Sequence, residues 1–312
     1  MFCVVSFVIL SILSVFSAEN RSLAREALDC VLRRVTLRPC NTGFDEKMKA
    51  KILGFVITKT ETGARILNRF FEPLSWIFIL LFLGSTFFAV RGVYLFYVTG
   101  SCNGLNQSGF CVFDPTGQSN QISNVGESCP VVLPGEDPVS LKGVNLSGFP
   151  VMNENGEKRI VFIGSYGCEY SRKAYPVVRQ LAEKSGASFT FLYYPVKESS
   201  DYLAKIGYCA YRQDAQKYWS LVDTFFTAER SQIEDESFIR QTLAETGYNP
   251  ETIAFCATDP QTEWTVKKLL NEVVKTGFFG TPTVFIQNEV LIGPKPPRVY
   301  AIALNGLLYW AR

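Results

Sequence analysis

A chain of 312 residues with 47% hydrophobic side chains is too long for one small domain and apolar enough for a packed core plus membrane segments. Its 31 basic and 29 acidic side chains leave a formal charge of +2, so no overall basic field points to nucleic acid. Histidine is absent, which removes Ser-His, Cys-His and histidine-metal mechanisms and turns attention to nine cysteines.

Residues 1–18 hold a nearly all-apolar run from Phe2 to Phe16, the length of a signal-peptide core or a short span, with no basic residue before it. Residues 72–99 hold a better span, the run from Leu74 to Val98, in which Arg91 is tolerated near one end by snorkelling toward the headgroups. Eleven Lys or Arg lie between Glu19 and Phe71, whereas Lys142 is the only one from Thr99 to Glu157. That asymmetry places loop 19–71 in the cytoplasm and the C-terminal two-thirds of the protein outside. A cleaved first segment is the alternative, and it would export the basic loop and reverse the second span. The loop itself has an amphipathic helical rhythm suited to anionic headgroups, and its Cys30 and Cys40 lack the C-x-x-C spacing of a zinc site.

Residues 100–150 shift to Gly, Ser, Asn, Asp and Pro and read as turns and irregular linker. The local pairing there is Cys102 with Cys111, which leaves Cys129 over. From 151 to 312 the pattern becomes orderly. Arg159 to Gly164 reads as a buried strand, Glu169 to Lys184 as a helix and Ser188 to Val196 as a second strand, a βαβ unit. Asp201 to Thr276 reads as several helices broken at Gly247, Asn249-Pro250 and Asp259-Pro260. Thr283 to Gln287 and Val290 to Ile292 form a hairpin pattern, and a last helix is expected from about Arg298 to Trp310.

Cys168 follows the first strand and a short turn, at the point where the next helix begins. Unpaired backbone N–H groups and the helix dipole favour a thiolate there, and Arg172 and Lys173 add positive potential one turn later. An inert buried cysteine is the competing reading.

The run from Val161 to Lys173 (VFIGSYGCEYSRK) resembles the active-site strand and helix start of DsbA-like thioredoxin-fold thiol-disulfide oxidoreductases. Gly280 to Ile286 (GTPTVFI) is similar to their cis-proline loop and following strand, and Cys209, Tyr218-Trp219 and Phe255-Cys256 are similar to parts of their helical insertion. The resemblance covers about 150 to 312. It implies an α/β protein with a DsbA-like thioredoxin fold carrying a helical insertion, here preceded by two transmembrane segments. It also implies a cis Thr281-Pro282 peptide beside Cys168 that offers a backbone edge to substrate.

Two positions depart from the family. Ser171 stands where a second cysteine is usual; its hydroxyl can hydrogen-bond a thiolate but cannot resolve a mixed disulfide. Glu169 replaces the usual proline, and its charge opposes thiolate formation. Three routes stay open: Cys168 works as a monothiol with Ser171 tuning it, a distant cysteine such as Cys129 resolves it, or the domain keeps only a binding role. Cys209 and Cys256 form either a structural disulfide or two buried thiols.

The expectation is therefore a membrane-anchored oxidoreductase acting through Cys168 on cysteine-containing exported proteins, with a membrane redox partner or small thiol, a lipid membrane, no metal, no cofactor and no nucleic acid. It would sit in the cell membrane with its C-terminal domain extracytoplasmic. The alternatives are a non-catalytic thioredoxin-fold binding module, chaperone-like, in a membrane assembly, and, more remotely, a peroxide-reducing thiol enzyme.

Overall fold

The structure, a computed structural model, describes residues 25–29, 33, 50, 54, 69–107, 110–113, 129–130, 138–196 and 201–309. The first apolar segment, most of loop 19–71 with Cys30 and Cys40, and Trp310 lie outside the described residues. The chain divides into two compact units, Met1–Val90 and Arg91–Arg312.

Helix α1 spans Phe71–Thr99. Its segment Leu80–Thr99 is the one stretch among the described residues long and apolar enough to cross a membrane. Arg91 lies in that stretch and is exposed.

The second unit is built on a five-stranded sheet in the order β2 (Val151–Met152), β4 (Ser188–Tyr193), β3 (Arg159–Gly164), β6 (Thr283–Ile286), β7 (Glu289–Ile292). β3 pairs parallel with β4 and antiparallel with β6, so the βαβ unit sits beside the hairpin in one mixed sheet. Side-chain alternation explains the burial. Ile160 and Phe162 of β3 join Phe189, Phe191, Val284 and Ile286 in a core on one face. Val161 and Ile163 join Leu192 and Phe285 on the other, under Phe149, Val273 and Phe278. Because both faces are covered, β3 is apolar without interruption from Ile160 to Ile163.

The crossover is α2, Glu169–Ser185, closed by Gly186 in the left-handed region (φ 64°). The insertion then carries α3 (Asp201–Gln213), α4 (Ala215–Thr227), α5 (Glu236–Glu245), α6 (Pro250–Thr258) and α7 (Pro260–Val274). Four of these helices start at a capping residue: Asp214, Asp235, Asn249 and Asp259 each accept backbone N–H groups of the first turn through the side-chain oxygen. Pro250 and Pro260 follow two of them directly, and those two breaks stand out in the sequence. The breaks at Asp214 and Asp235, which lack a proline, do not. Cys209 of α3 and Cys256 of α6 are joined by a disulfide, Cα atoms 6.1 Å apart.

Several boundaries differ from the sequence reading. β4 ends at Tyr193 rather than Val196, since Pro195 has no N–H to donate to a ladder. In the hairpin β6 stops at Ile286 and β7 starts at Glu289, because Gln287 takes a positive φ of 54° in the turn. The last helix, α8, runs Pro297–Asn305 and stops at Gly306 (φ 85°).

The segment after α1 is tied to this domain. Arg298 of α8 donates from Nε to the Tyr97 carbonyl (3.2 Å) and from Nη2 to the Phe96 carbonyl (3.3 Å), satisfying carbonyls of the last turn of α1. A disulfide joins Cys102 to Cys111. Asn106 donates from Nδ2 to the Val290 carbonyl (2.6 Å) and accepts from Ile292 N (2.8 Å), so one carboxamide occupies the outer side of β7. Asn106→Ala removes both bonds, and we expect it to cost about 1–3 kcal/mol, read as a lower urea midpoint with unchanged slope.

Candidate active site

The strand-to-helix turn builds the site. β3 ends at Gly164, and Cys168 N donates to the Ser165 carbonyl (3.1 Å), closing the turn through Tyr166 and Gly167. Cys168 is the N-cap of α2: its carbonyl accepts from Arg172 N (3.0 Å), and its side chain makes no capping bond to the first turn. The sulfur thus belongs to the residue beside the unpaired N–H groups, where the helix dipole favours negative charge. Cys168 is fully buried, at 0% exposure.

On the facing side, β5 (Gly280–Thr281) leads into the cis Thr281-Pro282 peptide. The Thr281 carbonyl oxygen lies 3.2 Å from Cys168 Sγ. A protonated Cys168 can donate to that oxygen; a thiolate cannot.

The partner of Cys168 is Cys129. The two form a disulfide across a sequence separation of 39, with Cα atoms 6.0 Å apart. Cys129, which the Cys102–Cys111 pair leaves over, is thus bonded to Cys168, the pairing that the second of the three routes requires. Within the linker stretch 100–150, Cys129–Pro130 forms a short strand, β1. β1 pairs antiparallel with β5, Cys129 opposite Thr281 and Pro130 opposite Gly280. The residue bonded to Cys168 is therefore also the residue laddered to the one before the cis proline.

The charged side chains near the sulfur are held by neighbours. Arg172 has a bonding role besides its charge. Its guanidinium donates to the Tyr166 carbonyl (3.1 Å) and the Phe225 carbonyl (3.0 Å), clamping the active turn onto the last turn of α4, and burial lowers its pKa. Glu169 lies 2.8 Å from Lys173 in an exposed i,i+4 pair, and the hydrogen bond from Lys173 holds its carboxyl below the usual range. The carboxylate that opposes thiolate formation is thus itself partly neutralised.

Ser171 is buried, and its Oγ accepts from Ser165 N (3.3 Å), bracing the turn from within the helix. Sequence reasoning missed three features here. Tyr166 is buried against Tyr193 (stacked, 4.7 Å) and edge-on to Phe226 (4.9 Å), and burial foremost raises its phenol pKa well above the ordinary value. Tyr175 donates to Asp223 Oδ1 (2.6 Å), a bond between α2 and α4. The hydroxyls of Ser165 and Thr281, which flank the site, are buried without a hydrogen-bond partner. The tyrosine inside the GSYG turn was a visible signal for the first; the others join residues too far apart in sequence to leave one. Among the described residues no cluster of His, Cys, Asp or Glu could hold a metal ion.

Comparison with solved structures finds similar proteins at low identity. A thioredoxin-like oxidoreductase from Silicibacter pomeroyi DSS-3 is 21% identical, covering 51% of this chain and 91% of that one, with a TM-score of 0.46. The thiol-disulfide exchange protein alpha-DsbA2 from Wolbachia pipientis is 19% identical, covering 49% and 83%, with a TM-score of 0.45. Oxidised BdbD from Bacillus subtilis is 16% identical, covering 50% and 90%, with a TM-score of 0.44. Among curated protein sequences there is no match. The family model of the DSBA-like thioredoxin domain matches residues 144–305, more than half of the chain, and spans both Cys168 and the cis-proline turn. The chain belongs to the DSBA-like thioredoxin domain family.

Proposed function

We propose that this protein is a membrane-tethered thiol-disulfide oxidoreductase of cysteine-containing exported proteins, and that Cys168 and Cys129 are its exchanging pair. The observation that carries this is the Cys129–Cys168 disulfide at the start of α2, beside the cis proline. It answers the absence of a second cysteine at Ser171 with a thiol brought from outside the domain's usual motif.

In this reading Cys168 takes the sulfur of a substrate, Cys129 closes the cycle, and Ser171 holds the turn rather than reacting. For the oxidised protein, a substrate thiolate attacks Cys168 Sγ and forms a mixed disulfide; the Cys129–Cys168 bond breaks, and Cys129 leaves as a thiolate that takes a proton from water. A second substrate thiolate then attacks the substrate sulfur of the mixed disulfide and releases Cys168 as a thiolate. The substrate is oxidised by two electrons and the protein is reduced. Run backwards, the same steps reduce a substrate disulfide. A membrane redox partner or a small thiol-disulfide couple returns the protein to its starting state.

The organisation proposed with it is a first span at 1–18, a basic cytoplasmic loop at 19–71, a second span at 72–99, a linker at 100–150 and the extracytoplasmic thioredoxin-like domain at 151–312. The apolar helix Phe71–Thr99 and the charge asymmetry of the flanking stretches support it. The Cys102–Cys111 and Cys209–Cys256 disulfides agree with an oxidising compartment.

The second reading, a binding module with an inert structural disulfide, is favoured by one observation: Cys168 is fully buried. Redox titration of the full-length protein against glutathione and dithiothreitol buffers, with mass spectrometry at each step, separates the two. An exchanging pair equilibrates between about −120 and −270 mV, whereas a structural disulfide lies below about −300 mV. A Cys129–Cys168 bond that stays closed throughout the glutathione range would sink the oxidoreductase reading.

A further inference from the structure

We infer that strand Cys129–Pro130 is a built-in occupant of the edge on which substrate backbone docks, so that substrate enters and leaves this site by strand exchange. The inference rests on the exchange reading above and adds how the site is gated.

An exposed strand edge is a template for any extended peptide, which gains affinity from backbone pairing and specificity from its side chains. At this site Gly280–Thr281 supplies such an edge directly beside Cys168, and Cys129–Pro130 lies on it in antiparallel register. A substrate cysteine bonded to Cys168 needs the place that Cys129 holds: opposite Thr281 and within disulfide distance of the same sulfur. Two strands cannot pair with one two-residue edge, so the internal strand and the substrate exclude each other.

The tether makes the internal strand a strong competitor. The strand is covalently continuous with the domain: it follows Cys111, which is bonded to Cys102, and precedes Ser140, whose N–H donates to the Thr276 carbonyl (2.8 Å). A strand tethered through the chain returns to its site at an effective concentration of about millimolar. Two backbone residues pair only weakly on their own, so the disulfide is what keeps the edge closed. Breaking that bond frees Cys129 and opens the edge in one event. When Cys129 later attacks Cys168 Sγ in the mixed disulfide, the substrate thiolate leaves and the returning strand displaces the substrate backbone. Cleavage of the covalent bond is thereby coupled to release of the peptide.

The test uses the full-length protein in nanodiscs and a synthetic peptide of residues 126–133 (GESCPVVL) whose cysteine carries thionitrobenzoate. In the reduced Cys129→Ser variant, Cys168 attacks the peptide sulfur, forms the mixed disulfide and expels thionitrobenzoate, which is read by its colour. We expect a peptide N-methylated at every non-proline position, which keeps the sulfur chemistry but cannot pair, to react at least 10-fold more slowly. Hydrogen exchange of the peptide segment containing Gly280 and Thr281 should be at least 10-fold slower in the oxidised wild type than in the reduced protein. It should slow again in the peptide-loaded variant. Equal rates for the two peptides, or equal exchange in both redox states, would overturn the strand-exchange inference while leaving the oxidoreductase reading intact. Absence of thionitrobenzoate release with either peptide would overturn both.

Discussion

Cys129→Ser is expected to convert a protein that releases its substrates into one that retains them. In the wild type the resolving thiol is tethered at an effective concentration of about millimolar, whereas in the variant a substrate with a single cysteine leaves only an external thiol to cleave the mixed disulfide. At micromolar external thiol the lifetime of the adduct should rise roughly 10²–10³-fold, the ratio of those two concentrations. Non-reducing electrophoresis after acid quenching, followed by mass spectrometry, should show Cys168 adducts accumulating in the variant and absent from Cys129→Ser combined with Cys168→Ser. Equal adduct lifetimes in wild type and Cys129→Ser would rule Cys129 out as resolver. Ser171→Cys gives the complementary result. It restores the C-x-x-C spacing within α2, and a bond between Cys168 and the introduced thiol should displace Cys129 from the edge and leave it open to alkylation.

The largest expected effect on stability belongs to a different disulfide. Cys209–Cys256 closes a loop with a sequence separation of 47 and staples α3 to α6 inside the insertion. The loop-entropy model assigns such a closure about 4 kcal/mol, a large part of the stability of an ordinary domain. Replacing both cysteines by alanine should therefore lower the melting temperature by on the order of 10 °C. The Cys129–Cys168 bond should still form in the survivors, because its two residues lie on other elements. A melting temperature shift below about 2 °C would show that packing of α3 on α6 holds the insertion without the bond.

The parts of this structure that leave a local mark were readable before it. The strand Arg159–Gly164 is visible because its two-sided burial demands an unbroken apolar run, and the start of α2 is visible because a glycine-containing turn follows that run. Asn249-Pro250 and Asp259-Pro260 mark helix starts because cap and proline stand together; Asp214 and Asp235 cap as well, yet a lone aspartate in a polar stretch carries no such mark. The partner of Cys168 was legible only as one option among three. Pairing Cys129 with it depends on a strand of two residues meeting an edge formed some 150 residues later, and nothing in a window around Cys129 encodes that meeting. Arg172 shows the same limit in electrostatics. Its position one turn past the cysteine suggested a charge near the sulfur, but not that the guanidinium bonds two carbonyls, one of them on the distant α4.

The carboxamide of Asn106 has a consequence for how the molecule behaves in company. β7 is the last strand of the sheet, and its outer carbonyl and N–H at Val290 and Ile292 are the groups that a second copy would use to extend the ladder. Asn106 takes both, one as donor and one as acceptor. Deamidation to aspartate would keep the acceptor but set a carboxylate oxygen against the Val290 carbonyl, so that contact would become repulsive. An aged or heat-stressed sample should then form sheet-extended aggregates from this edge of the sheet.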